Sequence, residues 1–103
     1  MDTQFILSMT PVLSLGIDMG YFAQLDDNGI VQQVISISND TLNEPEFTFP
    51  DTEPVGRVFI SKTLGLPGEW RQTSFNGNFR GRYAGIGYRY DRDLDEFVPP
   101  VNE

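Results

Sequence analysis

The chain has 103 residues, with 15 acidic and 7 basic side chains, a net charge of −8, and neither histidine nor cysteine. This length fits one small domain. The absence of histidine and cysteine excludes a Ser-His-Asp triad, a thiolate zinc site, an iron–sulfur cluster and a disulfide framework. The surplus of negative charge disfavours duplex DNA and anionic membranes as partners of the whole surface.

The sequence divides into an N-terminal extension or arm over residues 1–20 and a single small domain over residues 21–103. The apolar stretch from Phe5 to Ile17 is too short and too interrupted to span a membrane. It also lacks the positively charged start of a signal peptide, because the first basic residue is Arg57. Two interpretations stay open: an arm packed on the domain or on a neighbouring subunit, and an extension without native structure.

The first predicted element of the domain is a β-hairpin over residues 21–38. Two β-prone runs, YFAQL and IVQQVISIS, flank the sequence DDNG. Asn28 and Gly29 in that sequence tolerate the left-handed backbone of tight hairpin turns. Residues 39–54 follow as a polar connector, in which three prolines argue against a helix.

A short helix is predicted next. Asp51 or Thr52 is expected to cap its start, and Pro54 is tolerated in its first turn. Apolar residues then recur with helical spacing. Gly65 is expected to end the helix as a C-cap glycine.

The runs EWRQTSF, FRGRYAGIGYRY and EFV predict three further strands, separated by turn signals in NGN and DRDLD. The last two runs are expected to form a second hairpin, with Tyr88 and Tyr90 across from Phe97. The connections are short, so the strands should pair antiparallel. The predicted fold is therefore an α+β or mainly β domain, with a small antiparallel sheet of about five strands built from hairpins and one short helix.

Charge is concentrated in one segment. Residues 70–90 contain four arginines and no acid, so this segment carries +4 and the rest of the chain carries −12. Basic residues interleaved with aromatic ones on strands suit single-stranded nucleic acid, in which bases stack on rings and arginines follow the phosphates. The same residue types dominate protein–protein contacts, and they also suit arginines paired with the surplus carboxylates around an aromatic core. The candidate interaction residues are Trp70, Arg71, Arg80, Arg82, Tyr83, Tyr88, Arg89 and Tyr90.

One acidic run resembles the start of a calcium loop. Asp91, Asp93, Asp95 and Glu96 give the pattern D-x-D-x-D-E. Glu96 stands where the glycine of such a loop belongs, and Asn102 replaces its bidentate glutamate. A hairpin turn of solvated acids is therefore the preferred interpretation, and we predict no metal site, no cofactor and no catalytic residue.

Three segments of the chain are similar to a recurring pattern in small uncharacterised proteins of marine tailed phages, especially those that infect cyanobacteria. The segments are 70–76 (WRQTSFN), 82–91 (RYAGIGYRYD) and 95–100 (DEFVPP). Members of that group commonly read W-x-Q-T-S-Y-N and N-Y-A-G-I-G-Y-T-Y-D followed by F-I-P-P. This chain departs from the pattern at Phe75, Arg82 and Arg89. The resemblance implies a phage origin and a role in the virion or in the host cytoplasm, without an established activity.

The expected function is a non-catalytic structural or protein-interaction module that forms homo-oligomers. In it, the strands rich in arginine and aromatic residues meet acidic surface on another protein. The alternative is single-stranded nucleic-acid binding by the same strands. Neither function involves a membrane.

Overall fold

The computed structural model describes residues 19–44 and 46–100. The predicted extension over residues 1–20 lies outside the described residues, apart from Met19 and Gly20, which begin the first strand. The strands are β1 (Met19–Leu25), β2 (Val31–Ser38), β3 (Glu69–Thr73), β4 (Arg89–Asp91) and β5 (Glu96–Val98). The helices are α1 (Asn39–Leu42) and α2 (Thr52–Val58), the latter continued by a π-helical segment (Phe59–Leu64).

Two antiparallel sheets confirm the predicted fold class, a small α+β domain. The larger sheet has the strand order β2-β1-β3, and the smaller one pairs β4 with β5. β1 is therefore central, and both of its neighbours run antiparallel to it. The predicted second hairpin is confirmed, with Tyr90 directly opposite Phe97. The prediction is wrong for Tyr88, which lies before β4 and does not pair with β5.

β1 is buried on both faces of the sheet. Phe22 and Ala23 are adjacent and both fully buried, and adjacent residues of a strand point to opposite faces. The helix face, as we call it, bears the cluster Phe22, Ile37, Leu42, Ile60 and Trp70. The hairpin face bears the cluster Ala23, Leu25, Val31, Ala84, Tyr90 and Phe97. The domain thus has three layers, with the helices on one side of the sheet and the C-terminal segment on the other.

Two glycines permit the close approach of the helices to the sheet. A Cβ atom on Gly56 of α2 would overlap the ring of Phe22. A Cβ atom on Gly20 of β1 would overlap the side chain of Leu42 in α1. The helix face is therefore packed at distances that only glycine allows.

The predicted hairpin of β1 and β2 is confirmed, and local hydrogen bonds explain its turn. Asp26 Oδ1 accepts from the backbone N–H groups of Asn28 (2.8 Å) and Ile30 (2.9 Å). Gly29 has φ +81°, and its N–H donates to Asp26 O at 2.9 Å. The side-chain hydrogen bonds of Asp26 and the left-handed conformation of Gly29 together close this turn.

The structure confirms the position of the predicted helix and the residue at which it ends. Gly65 adopts the left-handed conformation of a C-cap, with φ +67°. Asp51 occupies the N-cap position, but its side chain makes no capping hydrogen bond there. The hydroxyl of Thr52 instead donates to Gln72 Oε1 at 2.8 Å, so it ties the helix to β3.

The expectation that no helix runs through the connector is wrong at its start, where α1 forms. Ser38 caps this single turn by accepting a hydrogen bond from Thr41 N, and Asn43 closes it in the left-handed conformation with φ 66°. Both signals lie before the first proline, so the prolines do not oppose the turn. Buried Leu42 then holds α1 against the sheet.

The long fourth strand predicted from FRGRYAGIGYRY is also wrong over most of its length. Residues 79–88 form bends and turns, and only Arg89–Asp91 is a strand. Arg80, Gly81 and Gly87 all have positive φ, a conformation that a continuous strand does not contain. The glycines therefore bend this segment around the hairpin face.

Candidate functional site

Strand alternation separates the candidate interaction residues onto different surfaces. Trp70 lies on the helix face, is 3% exposed, and donates its Nε1–H to Pro67 O at 3.0 Å. Arg71 is its neighbour in β3 and lies on the opposite face, where its guanidinium pairs with Glu69 and lies 5.4 Å from the centre of the Tyr90 ring. The basic and aromatic residues of segment 70–90 therefore do not form one continuous surface.

Arg80 lies inside the domain at the outer edge of β3. Its side chain is 6% exposed and pairs with Glu53 of α2, whose side chain is 10% exposed. Its Nε also donates to Asp95 Oδ1 at 2.7 Å. Burial alone would lower the pKa of Arg80, but the hydrogen bonds that its guanidinium donates to Glu53 and Asp95 raise it above its ordinary value.

The Arg80–Glu53 pair satisfies the backbone of the β3 edge. Gln72 N donates to Glu53 Oε2 at 2.7 Å, and Gln72 O accepts from Arg80 Nη1 at 2.9 Å. The ion pair thus occupies the place that a neighbouring strand would take, and it closes this edge against pairing with another chain.

Tyr90 is the aromatic centre of the same charged network. Its residue is 7% exposed, and the guanidinium groups of Arg71, Arg80 and Arg92 all lie within 5.7 Å of its ring centre. Its hydroxyl donates to Asp95 Oδ1. Burial is the main cause that raises the pKa of Tyr90. Tyr90 and Arg80 therefore hold the layers of the domain together and present little surface to a partner.

The remaining four candidates are nearer to solvent. Tyr88 is half-buried and packs against the core of the hairpin face. Arg89 has a side chain 51% exposed and lies 3.6 Å from Asp91 Oδ2. Arg82 is exposed, and Tyr83 beside it is half-buried.

Tyr83 belongs to a surface cluster of three rings, which we call the aromatic cluster (Tyr21, Phe75 and Tyr83). The ring centres of Phe75 and Tyr83 are 5.3 Å apart, and Tyr21 lies within 5.7 Å of both. Phe75 is 61% exposed, which is unusual for a large apolar side chain in a clustered position. Burial, with a smaller effect of Tyr21, raises the pKa of Tyr83.

A groove of about 460 Å³ lies on the helix side of the domain, where the π-helical segment meets the start of β3. We call it the α2 groove. Its apolar floor comes from Val58, Leu66 and Trp70, and its cations are Arg57 and Lys62. Both cations are exposed.

The α2 groove brings together cations that have no ion-pair partner among the described residues. Arg71, Arg80, Arg89 and Arg92 each form an ion pair. Within the described part of the chain, no ion pair involves Arg57, Lys62 or Arg82, and the first two line the groove.

Sequence reasoning found Trp70 but missed the two cations of the α2 groove. Arg57, Val58, Ser61 and Lys62 recur at the spacing of one helix face, and the run VGRVFISKTLGLPG contains no acid. This stretch of positive charge in an acidic chain was the sequence signal that could have identified the two cations.

The acidic run D-x-D-x-D-E, residues 91–96, forms and stabilises the β4–β5 turn. Asp91 Oδ1 accepts from the backbone N–H groups of Asp93 and Leu94, and Asp95 pairs with Arg80. Over residues 19–44 and 46–100, no group of three or more acidic residues is arranged to hold a metal ion.

No protein-family model, no curated protein and no solved structure matches this chain. Among the described helices, none is long and apolar enough to cross a membrane. Two exposed surfaces, the α2 groove and the aromatic cluster, are therefore the candidate functional sites.

Proposed function

We propose that this chain is a non-catalytic protein-interaction module of phage origin that associates with copies of itself, in the virion or in the host cytoplasm. The observation that carries the proposal is the α2 groove, in which Arg57 and Lys62 flank an apolar floor without an ion-pair partner among the described residues.

A second copy supplies what the groove lacks. The chain carries 15 acidic residues against 7 basic ones, a net charge of −8. A local basic groove on an acidic molecule favours contact between unlike surfaces of two copies. Association through the groove brings carboxylates to Arg57 and Lys62 and removes the exposed side chain of Val58 from water.

The groove has the composition of an interface. Val58 is 54% exposed although it is aliphatic, and Leu66 and the largely buried Trp70 also line the groove. Specific interfaces combine such an apolar centre with a charged rim that sets orientation.

Three carboxylates that pair with arginines support a non-catalytic role. Glu53 and Asp95 flank Arg80, and Glu69 accepts hydrogen bonds from Arg71 and Arg92. Those hydrogen bonds, led by the one from Arg92, lower the pKa of Glu69 to about 2. A carboxylate held ionised by arginines is poorly suited to donate a proton in general acid catalysis.

Oligomer mass tests the proposal. The full chain is measured by light scattering across a range of concentrations, beside the double variant Arg57→Glu/Lys62→Glu. The matched control is Arg82→Glu/Arg89→Glu, which makes the same change in net charge at exposed positions outside the groove. We expect the wild type at a multiple of 11.6 kDa at about 50 μM, the groove variant as a monomer, and the control like the wild type.

Three results would contradict the proposal. One is a wild type that stays monomeric up to about 100 μM. Another is a groove variant with the mass of the wild type. The third is loss of association in the control as well, because that would assign the effect to net charge and not to the groove.

The aromatic cluster favours a second function, single-stranded nucleic-acid binding. Phe75 offers a 61% exposed ring beside two tyrosines, and Arg82 next to Tyr83 forms no ion pair with the residues described here. Stacking on exposed rings with a nearby cation is the usual mode of sequence-tolerant binding.

Fluorescence anisotropy with a labelled oligothymidine tests this alternative. Binding should weaken steeply with salt and should be lost in Phe75→Ala and in Arg82→Ala, while Arg89→Ala, an equal change of charge, keeps most of it. An anisotropy that does not change at low salt would exclude this function.

A further inference from the structure

We infer that the α2 groove receives the β4–β5 turn of a second copy, with Asp93 and Leu94 as the contacting residues. This inference rests on the proposed self-association and names the segment that fills the groove. It is carried by the rigidity of the turn, by its complementarity to the groove, and by its position in the domain.

The turn is fixed before any contact is made. Asp91 Oδ1 accepts from Asp93 N at 3.0 Å and from Leu94 N at 3.1 Å. On either side of these residues, Arg92 is held by Glu69 and Asp95 by Arg80. A segment that is already ordered loses little conformational entropy when it docks.

Asp93 and Leu94 are the residues of this turn that remain available. Leu94 is 61% exposed, and Asp93 is exposed as well. Among the described residues, the Asp93 carboxylate makes no ion pair, whereas Asp91 and Asp95 both pair with arginines. The turn thus offers one carboxylate and one aliphatic side chain to a partner.

These two groups match the two kinds of surface in the groove. Leu94 is suited to the floor at Val58, where burial of both side chains removes apolar surface from water. Asp93 would then lie beside Arg57 or Lys62, the cations at the rim.

Glu69 places the groove and the turn at the same end of the domain. It stands in sequence between Gly68 and Trp70, which line the groove. Its carboxylate accepts two hydrogen bonds from Arg92 of the turn, at 2.8 Å and 2.7 Å. The turn and the groove therefore lie on opposite faces of the sheet at the first residues of β3.

This position permits reciprocal contact about a two-fold axis. When a surface and its complement share one end of a molecule, each copy can give its turn to the groove of the other. One inserted turn buries much less than the roughly 1,200–2,000 Å² of a stable interface. Reciprocal insertion doubles the contact, and so favours a closed dimer over a chain of copies.

Phe47 is the main alternative to Leu94 as the side chain that occupies the α2 groove. It is 43% exposed and follows the exposed Glu46, so it too combines an apolar side chain with an acid. Among the described contacts, none comparable to the Glu69–Arg92 hydrogen bonds brings Phe47 to the groove end of β3. The experiment therefore includes it as a competing arm.

A charge-swap experiment tests the inference on full-length chains. Arg57→Glu/Lys62→Glu makes the groove acidic, and Asp93→Lys makes the turn basic. Each variant alone should be monomeric, because its groove and its turn carry charge of the same sign. An equimolar mixture should form heterodimers, because each groove then meets a turn of opposite charge. A parallel mixture tests the Phe47 segment as the alternative occupant, with Glu46→Lys in place of Asp93→Lys.

A separate variant tests the apolar contact between Leu94 and the groove. Leu94→Ser should weaken wild-type association at least about tenfold, as expected for loss of a buried leucine. Ile86→Ser is the matched control, since Ile86 is 75% exposed and lies in a different turn. Circular dichroism of each variant shows whether the domain has stayed folded.

The outcomes separate this inference from the proposed function. If the groove variant dissociates but Asp93→Lys and Leu94→Ser associate like the wild type, self-association through the groove stands and the turn is not its occupant. Heterodimers with Glu46→Lys but not with Asp93→Lys would identify the Phe47 segment as the occupant of the groove and would overturn the inference. A monomeric wild type would remove the proposed function itself.

Discussion

Replacement of Arg80 by methionine should destabilise the domain more than loss of any exposed arginine. The substitution keeps the aliphatic bulk but leaves Glu53 as an unpaired charge whose side chain is 10% exposed. Breaking a buried ion pair in this way costs about 3–5 kcal/mol. It also leaves Gln72 O without its donor, Arg80 Nη1.

Thermal unfolding followed by circular dichroism measures the effect. In a domain of about 100 residues, 3–5 kcal/mol corresponds to a fall in Tm on the order of 15–30 °C. Arg92→Ala is the control, because its side chain is 54% exposed and its pair with Glu69 is at the surface. The Tm of that variant should fall much less than that of Arg80→Met.

A double variant distinguishes the unpaired charge from the lost packing. Arg80→Met/Glu53→Gln removes both charges, and the glutamine oxygen can still accept from Gln72 N. It should regain about half of the lost stability or more, because the buried charge is gone. A single variant within about 1 kcal/mol of wild type, or a double variant no more stable than the single one, would refute the reasoning.

Two other perturbations test the packing and the electrostatics of the domain. Gly56→Ala should lower the free energy of unfolding in urea by about 1–3 kcal/mol, because the new methyl group overlaps the Phe22 ring, although alanine favours helices. Stability should also fall in an acid titration between about pH 4.5 and pH 2, because unfolded Glu69 binds a proton near 4.5 and folded Glu69, held by Arg92, only near 2. Glu69→Gln should flatten that part of the curve, and an unchanged slope would contradict the assignment.

Local signals explain which elements the sequence could predict. The hairpin of β1 and β2 follows from a turn in which Asp26 and Gly29 satisfy the backbone by themselves. The helix end follows from one residue, Gly65, in a conformation that glycine adopts easily. Such signals act within a few residues and do not depend on the rest of the fold.

Tertiary contacts explain what the sequence did not predict. The run FRGRYAGIGYRY reads as a strand, yet Arg80 adopts φ +58° and reaches Glu53, which is 27 residues away in sequence. The β1–β3 sheet already has its edge at Gln72 closed by that pair. A periodic pattern cannot show that an ion pair, and not another strand, will lie at an edge.

The same contacts explain why Arg71 and Arg80, in the densest run of arginines, are less available to a partner than Arg57 and Lys62. Arg71 and Arg80 are attracted to carboxylates of their own chain and to the Tyr90 ring, so their charge is neutralised inside the domain. Arg57 and Lys62 lie on a helix whose one acid, Glu53, is paired with Arg80, and they stay exposed. In an acidic protein, the cations most available to a partner are therefore those that the fold separates from its own acids, and sequence density alone does not identify them.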